Sequence, residues 1–271
     1  MVCISETSFD RFGAFDLLRW ISQRYGFGTY IHLISGYLSK DTNIEAKTAK
    51  MRLIKMAETS KSNIYIDTLV SPSFTSAIAQ VIQLPGISGT ENNLLMFEFS
   101  KQNSGEHLQN IVDNFNLIKS VDFDVIILGS TERGFGFKKE IHIWITSKDY
   151  NNATLMILLG YIVLGHKDWD RSFIKIFAVF PEETCDVERN RLYELIEDGQ
   201  LPIAKQNIEV IPQKADIELN TIIRTKSRDA DMTIVGFLGD LVNHLGPSVF
   251  EGLEDIGNTI FVNSAQQKMI K

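Results

Sequence analysis

The sequence lacks three features that would each define a class of protein: an excess of basic residues, paired cysteines, and an apolar run of membrane-spanning length. Among its 271 residues, 27 are Lys or Arg and 34 are Asp or Glu, so the formal net charge is −7. Because phosphate binding requires clustered Lys and Arg, no nucleic-acid partner is expected. The two cysteines, Cys3 and Cys185, lie outside any CxxC pattern, which is typical of reduced thiols in the cytosol.

The most hydrophobic stretch contains an uncharged run from Tyr150 to Gly165. A membrane-spanning helix needs about 20 predominantly apolar residues. This run opens with polar residues and is followed by His166 and Lys167, which leaves only about 13 apolar-rich positions. The first residues of the chain also lack the basic start and apolar core of a signal peptide. We therefore expect these 271 residues to form a soluble protein, with the run as a buried helix.

Motifs that carry catalysis or bind metals are also missing. No GxSxG, HExxH or strand-associated GxGxxG occurs, and the five histidines are scattered without metal-ligand spacing. The segment 129–137, "GSTERGFGF", has glycines at the spacing of a phosphate loop. Phe135 and Gly136, however, stand where Lys and Ser or Thr are required, so we interpret the segment as a turn and an interdomain hinge. The nearby carboxylates of "RDAD" (228–231) are interpreted as a solvated loop. No enzymatic activity, cofactor or metal is expected.

The hydrophobic pattern alternates between strands and helices along the chain. The predicted strands cover residues 29–36, 63–70, 92–99, 123–130, 140–146, 172–180, 207–213, 231–238 and 258–264. The predicted helices cover residues 9–24, 42–61, 73–84, 105–120, 151–165, 182–199, 216–227 and 247–256. This alternation predicts an α/β fold with mostly parallel sheets flanked by helices. Since the pattern restarts near Gly134, we expect two subdomains of similar plan, 1–135 and 136–271.

Small residues form the carboxyl ends of two of the predicted strands. They are Ser35-Gly36 and Gly129-Ser130, and they would let a ligand approach the backbone. In open parallel sheets, ligands bind beyond the carboxyl ends of the strands, where the strand order reverses. These four residues are therefore the candidate for a nucleotide pocket.

Several blocks of sequence resemble the cytosolic C-terminal region of cation–chloride cotransporters. The first block has Ile141-x-x-Trp144, then Asp149, and then Lys167-x-Trp169 ahead of the strand "IKIF". Two further blocks are "QLPGISGTENNLLMFEF" and "NIVDNFNLIKSVDFDVIIL", and the strand ending in "SGYL" and the final "GNTIFVNS" agree with the family's beginning and end. The long acidic and serine-rich insertions of animal members are absent, so the resemblance is to a compact prokaryotic form.

The resemblance implies a non-catalytic regulatory domain of two α/β parts, similar in fold to universal stress proteins. Such a domain pairs two transporter subunits, so a homodimer and the transmembrane domain of the same transporter are the implied partners. The implied location is the cytoplasmic side of the cell membrane, as part of an integral membrane transporter. Trp144, Asp149, Lys167 and Trp169 are then structural positions shared with the family rather than ion ligands.

Two other functions remain open at this point. A universal-stress-protein-like module could sense a nucleotide at Ser35, Gly36, Gly129 and Ser130. A free-standing α/β enzyme is also conceivable, but no set of nucleophile, base and orienting residue can be named for it.

Overall fold

The structure, a computed structural model, describes residues 1–86, 89, 91–198, 203–214 and 216–266. The chain divides into two compact units. One contains Met1–Phe99 and Asn103–Leu128, and the other contains Ser100–Gln102 and Gly129–Lys271. The boundary that the sequence predicts, between residues 135 and 136, falls a few residues later along the chain.

The first unit is built from alternating strands and helices. Its strands are β1 (Val2–Ser5), β2 (Thr29–Ser35), β3 (Tyr65–Ser71), β4 (Leu94–Ser100) and β5 (Asp124–Ser130). Its helices are α1 (Gly13–Tyr25), α2 (Lys40–Thr59), α3 (Phe74–Val81), α4 (Gly105–Asp113) and α5 (Phe115–Lys119). The strands follow the order β3-β2-β1-β4-β5, in which β1 pairs in parallel with both β2 and β4. The strand order therefore reverses between β1 and β4.

The second unit repeats this plan with later elements. Its strands are β6 (Glu140–Thr146), β7 (Phe173–Pro181), β8 (Ile208–Gln213), β9 (Met232–Gly236) and β10 (Thr259–Asn263). Its helices are α6 (Tyr150–Leu164), α7 (Cys185–Asp198), α8 (Leu219–Lys226) and α9 (Gly239–Leu245), and short 3-10 helices cover Lys167–Trp169, Glu182–Thr184, Lys205–Asn207 and Gly246–Phe250. The strand order is β10-β9-β6-β7-β8, with parallel pairing throughout. When the strands of each unit are numbered from one, and the second unit is read from β8 to β10, both units have the strand order 3-2-1-4-5. This is expected for halves of similar plan.

Burial explains why the strands form where they do. β5 is buried at all seven positions and contains the continuous apolar run 125–128, and β4 is buried at its first six positions, of which only Glu98 is charged. Strands with covered faces on both sides lose the polar alternation of half-exposed strands. By contrast β3, an edge strand, is half-buried at four of its positions.

Helix α6 corresponds to the apolar run discussed above. Ten of its fifteen residues are buried, which accounts for the absence of a polar face. In the described ranges, which omit residues 87–88, 90, 199–202, 215 and 267–271, no helix is both long and apolar enough to cross a membrane.

The beginning of the chain differs from the prediction. β1 was not predicted, because four residues are too few for a periodicity to be recognised, yet Cys3 within it is fully buried. The first helix begins at Gly13 instead of Phe9. The residues before Gly13 form a turn in which the Thr7 carbonyl accepts from the amides of Asp10 (3.0 Å) and Arg11 (3.1 Å).

Three helix boundaries also differ. α2 begins at Lys40, before the predicted start at residue 42, because Ser39 is its N-cap and forms a reciprocal capping box with Thr42. The helix predicted over 105–120 is divided at Asn114. The helix predicted over 247–256 is wrong. α9 lies before it and ends at Leu245, because Gly246, with a φ of +58°, breaks the helix, and a 3-10 segment follows.

Candidate functional site

The candidate sites lie where the strand order of each unit reverses, because ligands of open α/β sheets bind there. In the first unit this point is between β1 and β4, next to the N-terminus of α1. The N-terminus of a helix attracts anions, since its first N–H groups have no partner within the helix. The residues at this point therefore decide whether an outside anion could be bound.

Glu98 of β4 occupies the N-terminus of α1. Its side chain is buried, and its Oε2 atom accepts a hydrogen bond of 2.9 Å from the backbone N–H of Ala14. Arg11 Nε lies 3.9 Å from the other carboxylate oxygen. A Cβ atom on Gly13 would lie 2.9 Å from Glu98 Oε1 and 2.9 Å from Leu128 Cδ2, so any larger residue would require these side chains to shift. The anion at this helix terminus is thus part of the protein.

Asp149 occupies the equivalent point of the second unit, between β6 and β9. Its Oδ2 atom accepts hydrogen bonds from the Thr146 amide (3.0 Å) and the Thr146 hydroxyl (2.6 Å). Burial raises the pKa of the Asp149 carboxyl, and the hydrogen bonds from Thr146 and Asn152 partly oppose this shift. A Cβ atom on Gly236, the last residue of β9, would lie 2.1 Å from Asp149 Oδ1. Glycine is again required beside a buried carboxylate.

Asn152, in the first turn of α6, also lies at the strand reversal of the second unit and bonds two backbone groups there. Its Nδ2 atom donates to the Phe237 carbonyl over 3.1 Å, and its Oδ1 atom accepts from the Ser264 amide over 2.8 Å. These bonds tie α6 to the residues that directly follow β9 and β10. Asp149 and Asn152 together satisfy the backbone groups that a ligand would otherwise contact.

A third carboxylate fixes the glycine-rich segment that resembles a phosphate loop. Asp231 is buried and accepts hydrogen bonds from the amides of Phe137 (2.8 Å), Lys139 (2.7 Å) and Glu140 (3.1 Å). A Cβ atom on Gly136 would lie 2.1 Å from Asp231 Oδ1. The interpretation of "RDAD" as a solvated loop is therefore wrong for Asp231, because the sequence does not reveal that these amides surround its side chain. The hinge role of the segment stays a prediction.

The predicted nucleotide residues fall in different units. Ser35 and Gly36 belong to the first, where the Gly36 amide donates to the Ser71 carbonyl over 2.9 Å. Gly36 has φ +140°, which favours glycine without any ligand. Gly129 and Ser130 belong to the second unit, and the Ser130 carbonyl accepts from the Lys101 amide over 2.9 Å. A nucleotide pocket formed by these four residues stays a prediction.

The four positions that carry the family resemblance have different environments. Trp144 is buried and stacks on Phe177 with ring centroids 4.5 Å apart, and its Nε1 atom donates to the Ser227 hydroxyl over 2.9 Å. Trp169 is fully buried, whereas Lys167 is exposed. With Asp149 at the strand reversal, three of the four positions lie in the interior of the second unit.

Two of the buried histidines, His32 and His142, serve as internal hydrogen-bonding groups. His32 Nδ1 lies 2.8 Å from the Ser8 hydroxyl. His142 has partners at both ring nitrogens, Ser227 Oγ and Glu140 Oε1, each at 2.8 Å. Burial lowers the pKa of both imidazoles. In the described part of the chain, no group of three or more His, Cys, Asp or Glu residues could hold a metal ion.

Lys101 is an internal cation that the sequence did not indicate. Its Nζ atom contacts the carbonyl oxygens of Leu253 (2.7 Å), Ile256 (3.3 Å) and Gly257 (2.7 Å) and the hydroxyl of Thr259 (2.7 Å). Burial lowers the pKa of Lys101 to about 7, although the charges of Glu254 and Asp255 oppose this shift. The side chain fixes the loop that leads into β10. A lysine directly after a strand is usually exposed, so no sequence pattern distinguishes it.

Lys101 gives the stability of the protein a pH dependence. The unfolded chain keeps this proton up to a pKa near 10.5, whereas the folded chain releases it near pH 7. The unfolded state therefore binds more protons between these values, and stability contributed by this group increases as the pH rises from about 7 towards 10.5. We expect Lys101→Met to remove this part of the slope. Urea unfolding of both proteins at several pH values tests it; identical slopes would contradict it.

Comparisons with known proteins define the class of fold first. The chain is similar to a putative universal stress protein from Pseudomonas aeruginosa UCBPP-PA14, with a TM-score of 0.58, 12% identity, and coverage of 96% of this chain and 91% of that one. It is equally similar to a universal stress protein from Archaeoglobus fulgidus DSM 4304, with a TM-score of 0.58, 12% identity, and coverage of 97% and 96%. The protein thus has a universal-stress-protein-like α/β fold.

A more particular similarity agrees with the resemblance in sequence. The cytoplasmic domain of a prokaryotic cation chloride cotransporter matches with a TM-score of 0.66 and 14% identity, over 99% of this chain and 96% of that domain. At this identity the match establishes a common fold. No family model and no curated protein sequence matches the chain.

Proposed function

We propose that the chain is the cytosolic regulatory and dimerisation domain of a cation–chloride cotransporter. The observation that carries this proposal is the match to a cotransporter cytoplasmic domain over nearly the whole of both chains. A partial match could reflect one common α/β unit, but here both units correspond together. The motifs around Trp144, Asp149 and Trp169 add support because those side chains are buried in the second unit.

The site geometry also supports a role without catalysis. At the strand reversals, where an α/β enzyme would place reactive groups, the carboxylates of Glu98 and Asp149 are engaged with backbone amides of their own unit. Groups committed in this way are not positioned to act on a substrate. We infer that the domain acts through binding to its own copy and to the transmembrane domain.

Pairing of two copies is the first testable consequence. We expect a symmetric dimer in which both subunits contribute the same surface, since closed two-fold dimers are the commonest homo-oligomers. Light scattering coupled to size-exclusion chromatography should give twice the mass of one chain and, on dilution, a reversible shift to the monomer mass. A strict monomer at the highest attainable concentration would contradict the dimerisation role.

A further inference from the structure

Three internal carboxylates accept hydrogen bonds from backbone N–H groups at positions that the strand order or the glycine pattern would assign to a ligand. Glu98 is at the N-terminus of α1 in the first unit, and Asp149 is at the strand reversal of the second. Asp231 accepts hydrogen bonds from the amide of Phe137, at the end of the glycine-rich segment, and from the amides of Lys139 and Glu140, which follow it. Each position offers amide donors of the kind that bind anions in such folds.

We propose that the side-chain carboxyl groups of Glu98, Asp149 and Asp231 fill these three positions, so that the domain binds no nucleotide phosphate at any of them. The proposal goes beyond the regulatory function, and it holds whether or not the chain belongs to a transporter. It excludes the nucleotide-sensing alternative at the strand reversals and the glycine-rich segment.

The glycines at these positions support the proposal. Glycines beside a strand end or a helix start normally suggest a close approach to a ligand. Here a Cβ atom on Gly13, Gly136 or Gly236 would meet the carboxylate oxygen of Glu98, Asp231 or Asp149, respectively, at 2.9 Å or less. The internal carboxylates therefore explain the glycines without a ligand, because a carboxylate oxygen already lies where a Cβ atom would be.

Electrostatic repulsion also opposes the binding of a phosphate at the N-terminus of α1. A phosphate brought to the α1 N-terminus would meet the buried Glu98 carboxylate, and two like charges in contact destabilise each other strongly at a site away from water. Arg11, the cation near this carboxylate, lies 3.9 Å from it. An outside anion could be bound only after Glu98 had been removed.

The test compares the wild-type protein with Glu98→Ala and Glu98→Gln. Wild-type protein should give no binding heat and no change in Tm with ATP at about 10 mM, with or without Mg²⁺, because no anion position is available. Glu98→Ala should melt several degrees lower and recover at least half of that loss in about 50 mM formate, which supplies the missing carboxylate. Glu98→Gln should melt lower as well but not recover, because its amide still fills the space.

Exposed Glu58→Ala serves as the control for general effects of the salt, and its Tm should follow that of the wild type. Sub-millimolar binding of ATP by the wild-type protein that is lost when Gly13 or Gly136 is replaced by Ala would overturn the proposal. So would a Glu98→Ala variant whose Tm does not respond to formate or phosphate. If Glu98→Ala does not fold, Asp231→Ala takes its place with the same expected results, and the titration of the wild type with ATP decides by itself.

Discussion

Replacing Lys101 with methionine is expected to lower the free energy of unfolding of the second unit by about 3 kcal/mol, because buried acceptors then lose a charged donor. Methionine has a similar length, so the apolar packing of the side chain is largely kept. The carbonyl groups of Leu253, Ile256 and Gly257 would lose the Nζ atom that now lies within 3.3 Å of each of them. Methionine offers them no donor.

Urea denaturation followed by tryptophan fluorescence measures this effect. Trp144 and Trp169 both lie in the second unit and are buried, so their fluorescence reports its unfolding. The matched control is Lys214→Met at an exposed lysine of the same unit, which should change the free energy by no more than about 0.5 kcal/mol. Equal effects of the two substitutions would mean that the Lys101 contacts contribute nothing specific.

Replacing Gly236 with alanine is expected to destabilise the second unit by about 3 kcal/mol, since an added methyl group would overlap a fixed neighbour. The added Cβ would lie 2.1 Å from Asp149 Oδ1 and 3.1 Å from Asn152 Nδ2. Neither side chain can easily move, because Asp149 is held by Thr146 and Asn152 bridges two backbone segments.

A double-mutant cycle separates this clash from a general effect of alanine. If the overlap with Asp149 causes the loss, Asp149→Ala combined with Gly236→Ala should cost at least about 1 kcal/mol less than the sum of the single substitutions. Gly165→Ala is the control, because its Cβ would meet no atom closer than 3.5 Å. If the free-energy losses of the two single substitutions simply add in the double variant, the overlap with Asp149 is not the cause of the destabilisation.

The sequence was sufficient to predict the fold class and most of the elements. Apolar runs such as those of β5, β7 and β9 indicated strands buried on both faces, and the uncharged run ending at Gly165 was correctly interpreted as a buried helix. The resemblance to cotransporter domains is matched by a similarity in fold over nearly the whole chain. The errors concern short elements, such as β1 and α9, whose four and seven residues are too few to show a period.

The candidate site was much harder to predict. Glu98 lies 84 residues from the amide that donates a hydrogen bond to it, and Asp231 lies more than 90 residues from its amide donors. No local pattern therefore relates these groups. Lys101 is likewise fixed by groups more than 150 residues away. The glycines were visible in the sequence, but glycine beside an internal carboxylate and glycine beside a phosphate give the same pattern. Only the position of the side chains distinguishes them.

The central claim, that this chain is the cytosolic domain of a cation–chloride cotransporter, is tested most directly in cells that produce the native protein. Antibodies raised against these 271 residues should detect, in the membrane fraction, a polypeptide larger than the chain by several spans of about 20 apolar residues each. In-frame deletion of the domain should alter chloride-dependent uptake of K⁺ or Rb⁺ by those cells. Detection of a 30.7 kDa polypeptide in the soluble fraction alone, with uptake unchanged by the deletion, would contradict the claim.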